Sequence, residues 1–139
     1  MAGIHFSFDN FKELLSLNMG ISSRLDENRV ESFTLLYCNF KGIAPDVVDA
    51  SLAEILRTSD SIVDDGLDYF FVLPYTDKYG AEIVKKMFND FFAKHLDAFL
   101  LAYPSDGEDA VSLMSNMQDS TSKFLKHNLH CLDRFTRNY

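Results

Sequence analysis

The chain has 139 residues, 47% hydrophobic and 24% charged, with thirteen Phe and six Tyr but no Trp. That balance excludes a disordered chain, and the length suits one domain able to bury its own core without staples. The formal net charge of −8 argues against nonspecific binding to nucleic acid or anionic lipid, because phosphate repels such a surface.

No basic patch offsets this charge. Lys85-Lys86 and the mild cluster from Lys123 to Arg137 read as solvated helix faces. Cys38 and Cys131 lie far apart and fit no metal spacing, so they are expected to be reduced thiols in a cytoplasmic protein. The start, Met1-Ala2-Gly3-Ile4-His5, lacks the regions of a signal peptide, and no apolar run approaches the roughly 20 residues of a membrane span. No internal repeat or linker composition is present, so residues 1–139 are expected to form a single domain. Residues 1–30 would be its N-terminal helical part and 126–139 a C-terminal extension.

Phe8, Phe11, Leu14, Leu15 and Met19 recur at helical spacing, which predicts a helix from about Asp9 to Glu27, capped by Ser7 or Asp9. Gly20 could break it. Phe33 to Phe40 is aromatic and almost continuously apolar, as in a central strand covered on both faces. Pro45 suits the first turn of a helix that buries Val47, Val48, Leu52, Ile55 and Leu56 and ends near Thr58. Ser61-Ile62-Val63 and Asp68 to Leu73 then read as a hairpin turning through Asp64-Asp65-Gly66. Asp77 caps the next helix, which runs to about His95 with Ala81, Val84, Met87, Phe88, Phe91 and Phe92 inward. Phe99 to Tyr103 is a strand stopped by Pro104, Asp106-Gly107 a turn, and Val111 to about Leu125 a helix. Asn128 to Tyr139 would extend that helix or fray. The order α-β-α-β-β-α-β-α predicts a sheet with helices on its faces.

Four segments carry a further signal. They are Leu52 to Asp60, the turn Asp65-Gly66-Leu67-Asp68-Tyr69, the stretch Phe70 to Ala81, and Tyr103-Pro104-Ser105-Asp106-Gly107-Glu108-Asp109-Ala110. In this order and spacing they resemble the GGDEF domain, the diguanylate cyclase module of bacterial signalling. The resemblance implies an α/β (α+β) sandwich of the nucleotide-cyclase type, a mixed sheet with a β-hairpin and helices on both faces.

In active members of that family, two metal ions sit between carboxylates and the triphosphate of GTP. Hard cations such as Mg²⁺ demand oxygen ligands. The first ligand position falls on Asn39, or on Phe40 and Lys41 if the register slips, and the second falls on Leu67. An amide carries no charge and an alkyl group has no lone pair, so two-metal stabilisation is lost. Asp65 replaces the first glycine and adds negative charge where phosphate would approach. Lys41 to Asp46 has no room for the family's guanine and phosphate contacts, and the Leu-Thr-Gly-Leu-x-Asn-Arg motif is missing. Asp68 keeps the fourth signature position and reads as a solvated hairpin-tip carboxylate. The resemblance therefore implies a catalytically inactive domain, not an enzyme, with no metal, cofactor or catalytic residue.

Arg57-Thr58-Ser59-Asp60 is similar to the family's Arg-x-x-Asp product site, although four residues rather than five separate it from the signature. A guanidinium clamps phosphate or guanine, and Asp accepts from guanine N1 and N2. The structural alternative is an Arg offsetting a helix dipole and an Asp in a turn. His5, His95, His127 and His130 are dispersed, and His127 and His130 beside Cys131 read as surface residues. The expected function is a protein-interaction or signalling adaptor in the bacterial cytoplasm, docking an unidentified protein through faces such as Phe88, Phe91, Phe92, Met114 and Met117. The alternative is a cyclic di-GMP receptor using Arg57 and Asp60, and an active cyclase is third. A homodimer is compatible with either of the first two.

Overall fold

The computed structural model describes residues 3–25 and 31–137. Its centre is strand β2, Glu31–Asn39, in which every residue from Ser32 to Cys38 is buried. Successive side chains of a strand point to opposite faces. Phe33, Leu35 and Tyr37 therefore enter one core, and Leu36 and Cys38 enter the other. A continuous apolar run is what a strand covered on both sides requires.

The remaining elements, in chain order, place helices over both sides of that strand. They are β1 (Ile4–His5), α1 (Phe11–Leu25), then after β2, α2 (Pro45–Ile55), β3 (Ser61–Asp65), β4 (Asp68–Pro74), α3 (Lys78–Phe92), β5 (Asp97–Pro104), α4 (Ala110–Phe124) and α5 (Asp133–Thr136). The sheet order is β1-β3-β4-β2-β5. β2 pairs antiparallel with both β4 and β5, β3 pairs antiparallel with β4, and β1 joins β3 in parallel. From β2 to β5 the chain thus runs β-α-β-β-α-β, a split βαβ topology. Among the described residues the molecule is a mixed α+β sandwich of five α-helices and a five-stranded mixed sheet.

Each face has its own core. Phe11, Leu15, Tyr37, Phe70, Leu113 and Met117 fill the side under α1 and α4. Phe40, Leu52, Phe71, Ala81 and Phe88 fill the side under α2 and α3. Local chemistry starts α2 and α3 where the sequence predicts and caps α4 with a pair that was not predicted from the sequence. Pro45 occupies the first turn of α2, the Asp77 carboxylate accepts from the Gly80 N–H at the start of α3, and Asp109 and Ser112 form a reciprocal capping box on α4.

Several expectations are corrected. The first described element is a strand, because Gly3 lets Ile4 approach Asp60 closely enough for a backbone hydrogen bond of 2.9 Å. A Cβ at Gly3 would lie 2.8 Å from the Asp60 carbonyl oxygen. Ser7 caps a short 3-10 turn, Phe8–Asn10, that leads into α1. α1 runs through Gly20 without a break, since packing of its core stripe outweighs one glycine. Its predicted end at Glu27 lies outside the described residues. Val47 is exposed, and α2 stops at Ile55, before Thr58. β3 continues to Asp65, so the hairpin turn is Gly66-Leu67. α3 ends at Phe92, where Ala93 adopts a left-handed conformation, and Met87 and Phe91 face outward. β5 starts two residues earlier than predicted.

The C-terminal segment does not continue α4. It folds back as a 3-10 turn, His130–Leu132, followed by α5. Leu129 and Leu132 are buried in the core beneath α1 and α4. Gln118 donates to the Leu129 carbonyl at 2.8 Å and to the Asp133 carboxylate at 2.7 Å, which ties the segment down. Among the described residues no helix is long and apolar enough to cross a membrane.

Candidate functional site

The β3–β4 hairpin presents Asp65, Gly66, Leu67, Asp68 and Tyr69 together. Asp65 and Asp68 pair across the strand ends, and Gly66 and Leu67 form the two-residue turn. Gly66 has φ of +63°, which glycine adopts without steric cost and a two-residue hairpin demands. Leu67 stands at the tip, 49% exposed, and its carbonyl accepts from the Phe40 N–H at 3.0 Å. Tyr69 lies against Phe40, the ring centroids 4.9 Å apart and near perpendicular.

Asp68 is not a solvated carboxylate. Its Oδ1 accepts from the Tyr37 hydroxyl at 2.6 Å and from the Asn39 side-chain amide at 2.9 Å. Antiparallel pairing sets Asn39 directly opposite Asp68 on β4 and opposite Asp97 on β5, so three polar side chains form one row. Asp97 in turn meets the His127 ring nitrogen at 2.8 Å. Burial, followed by the hydrogen bond to Asp68, pushes the Tyr37 phenol well above its ordinary range, so it remains a donor. Asn39 thus gives Asp68 a hydrogen-bond donor. Among the described residues no group of three or more His, Cys, Asp or Glu side chains is placed to hold a metal ion.

Sequence reading missed Tyr37, Asp97 and His127 as members of this cluster. The available signal was Tyr37 and Asn39 two positions apart in an otherwise apolar strand, hence on one face. Nothing local announces that Asp68 will face them, since Tyr37 is 31 residues away in sequence.

Arg57 and Asp60 are brought together. Asp60 accepts from the Arg57 backbone N–H through Oδ2 at 2.8 Å and from its Nη2 through Oδ1 at 2.8 Å. Nη2 also donates to the Pro74 carbonyl at 2.9 Å and the Thr76 hydroxyl at 3.1 Å. The Asp60 side chain is 3% exposed and that of Arg57 52%. The motif therefore closes the turn between α2 and β3 and ties it to the end of β4. Both oxygens of Asp60 already serve Arg57, whereas the guanidinium borders a groove of about 460 Å³ with Ile55, Tyr75, Thr76 and Met87.

The outward side of α3 is apolar. Tyr79, Ile83, Met87 and Phe91, each four residues apart, are between 36% and 77% exposed, and Tyr75 lies nearby at the groove. Residues spaced by four share a helix face. Of the residues expected to dock a partner, Phe91 belongs to this stripe, whereas Phe88, Met114 and Met117 are core and Phe92 is half-buried against it.

Cys38 and Cys131 are both unpaired thiols. Burial pushes the Cys38 thiol far up, and burial, then the negative charges of Asp68 and Asp65, pushes Cys131 up to about 12. Nucleophilic attack needs the thiolate. In the native protein near neutral pH, iodoacetamide is expected to label neither thiol at an appreciable rate, and in urea both. Fast native labelling of Cys131 would show instead that the C-terminal segment opens readily.

The sandwich and its hairpin define the class of the molecule as an α+β domain of split βαβ topology. The chain matches no family model and no curated protein.

Proposed function

We propose that the chain is a catalytically inactive GGDEF-like domain that works as a protein-interaction adaptor in bacterial signalling. The observation that carries this reading is the pairing of Asn39 with Asp68 beneath an exposed Leu67: positions that would supply two carboxylates supply an amide and an alkyl group. The strand and helix order from β2 to β5 supports the scaffold, and the free thiols support a cytoplasmic setting. The exposed stripe of α3 is the docking surface in this reading, because exposed apolar groups in contiguity mark interaction sites. Its test uses affinity capture from cell lysate of the source bacterium with native protein and with I83D/M87D. A partner held by the native chain and released by the variant supports the adaptor. Equal capture by both places docking elsewhere, and GTP turnover with Mg²⁺ or Mn²⁺ that is lost in D68A refutes the inactive reading.

A second reading is a cyclic di-GMP receptor at Arg57. The half-exposed guanidinium beside the groove favours it. The engagement of Asp60 leaves Arg57, with Tyr75 and Thr76, as the groups to hold the ligand. Calorimetry decides between the readings. Heat at high micromolar cyclic di-GMP supports the receptor, and none at that concentration leaves the adaptor.

A further inference from the structure

α1 carries two stripes. Phe11, Leu14, Leu15 and Met19 are buried against the sheet. Glu13, Leu17, Gly20 and Arg24 lie on the outer side and are exposed, at steps of four, three and four residues. That alternation is the spacing of a helix–helix seam. Leu17 and Ile21 are 59% and 44% exposed, and a hollow of about 500 Å³ opens over them, Ser16, Gly20 and Arg24. Nothing lies within 4 Å of the place a Cβ would occupy at Gly20.

We infer that this face is a two-fold, antiparallel interface between two copies of the chain. With the axis between Asn18 and Met19, Glu13 of one copy faces Arg24 of the other, Leu17 faces Gly20, and Ser16 faces Ile21. Each large apolar side chain meets a small residue, and each carboxylate meets a guanidinium. A self-complementary patch of this kind is what an isologous interface requires. The parallel arrangement fails, because it sets Glu13 against Glu13 and Arg24 against Arg24. A fifteen-residue helix is about 22 Å long. Two such helices bury an area at the low end for specific association, about 1,200 Å² or less. The dimer is therefore weak, with a Kd on the order of 10–100 µM. α3 lies on the opposite side of the sheet, so this contact and the docking proposed there are independent.

Sedimentation equilibrium from micromolar to millimolar protein tests the interface, with circular dichroism confirming that each variant is folded. E13R and R24E are each expected to weaken dimerisation at least about tenfold, since like charges then oppose. Mixing the two variants should restore association, because the two arginines of one chain face the two glutamates of the other. The double variant E13R/R24E should dimerise like the native chain. G20L, which fills the hollow, should be monomeric with both charges intact. A native chain monomeric throughout, single reversals that dimerise at native strength, or a mixture that stays monomeric would each overturn the inference.

Discussion

Phe88→Ala is expected to destabilise the protein by about 4 kcal/mol, the range seen when a fully buried aromatic side chain is removed and its cavity cannot collapse. Phe88 has no exposed surface. It stacks on Phe71 with ring centroids 5.4 Å apart and lies at 5.7 Å from Phe40, edge to face. Phe88 therefore joins α3 to β4 and to the Phe40 that follows β2. Domains of this size have only about 5–15 kcal/mol of stability in total, so the variant should sit near its unfolding threshold. Urea denaturation reads the effect as a large drop in midpoint. Phe91→Ala, three residues on but 36% exposed, should lose about 1 kcal/mol or less. Equal losses at the two positions would mean that α3 does not present one face to the core and one to solvent.

Arg57→Ala is expected to cost about 3 kcal/mol, the lower end for breaking a buried ion pair, because the guanidinium is half in water while the carboxylate is not. Removal leaves the Asp60 charge buried with one backbone N–H donor, and it takes one donor each from the Pro74 carbonyl and the Thr76 hydroxyl, which keep their bond to one another. The cost comes mainly from the stranded charge. Asp60→Asn in the Arg57→Ala background should therefore recover part of the loss, and Arg57→Lys should not, since an ammonium lacks the fork that meets both carboxylate oxygens. Urea titrations of the three variants check this. A loss under about 1 kcal/mol for Arg57→Ala would mark the pair as an ordinary surface contact. The size of this effect bears on ligand binding too. Calorimetry with Arg57→Ala has meaning only where that variant is still folded.

Much of the fold was legible because its causes are local. The apolar run Phe33 to Phe40 can be stable in only a few ways, and burial of alternate side chains on opposite faces is the one realised. Pro45, Asp77 and Gly66 act within a turn of their own positions, and each appears where its chemistry belongs. Boundaries were less legible. β3 gains Asp64 and Asp65 because the opposite strand supplies partners for them, a cooperation no propensity records. β1 escaped because two residues carry no period. Its pairing with β3 depends on the absence of a side chain at Gly3. The helical stripe of α3 was read one notch too wide: Met87 and Phe91 share its apolar character but lie on its outer side.

The chain alone determines that the Leu67 side chain can offer a cation no lone pair and that the Asn39 side chain can offer no charge, since those are properties of the side chains in any fold. It also determines the succession of helices and strands from α1 to α4, through side-chain period and turn sterics acting over a few residues. Only the tertiary structure decided that Asp68 would be held by Tyr37 and Asn39, that Asp60 would be spent on Arg57, and that Tyr79, Ile83, Met87 and Phe91 would be left facing water. The reason is reach. Tyr37 and Asn39 reach Asp68 through strand register, across 31 and 29 residues of chain, and Arg57, only three residues from Asp60, is fixed by the packing that buries that carboxylate and brings up the end of β4.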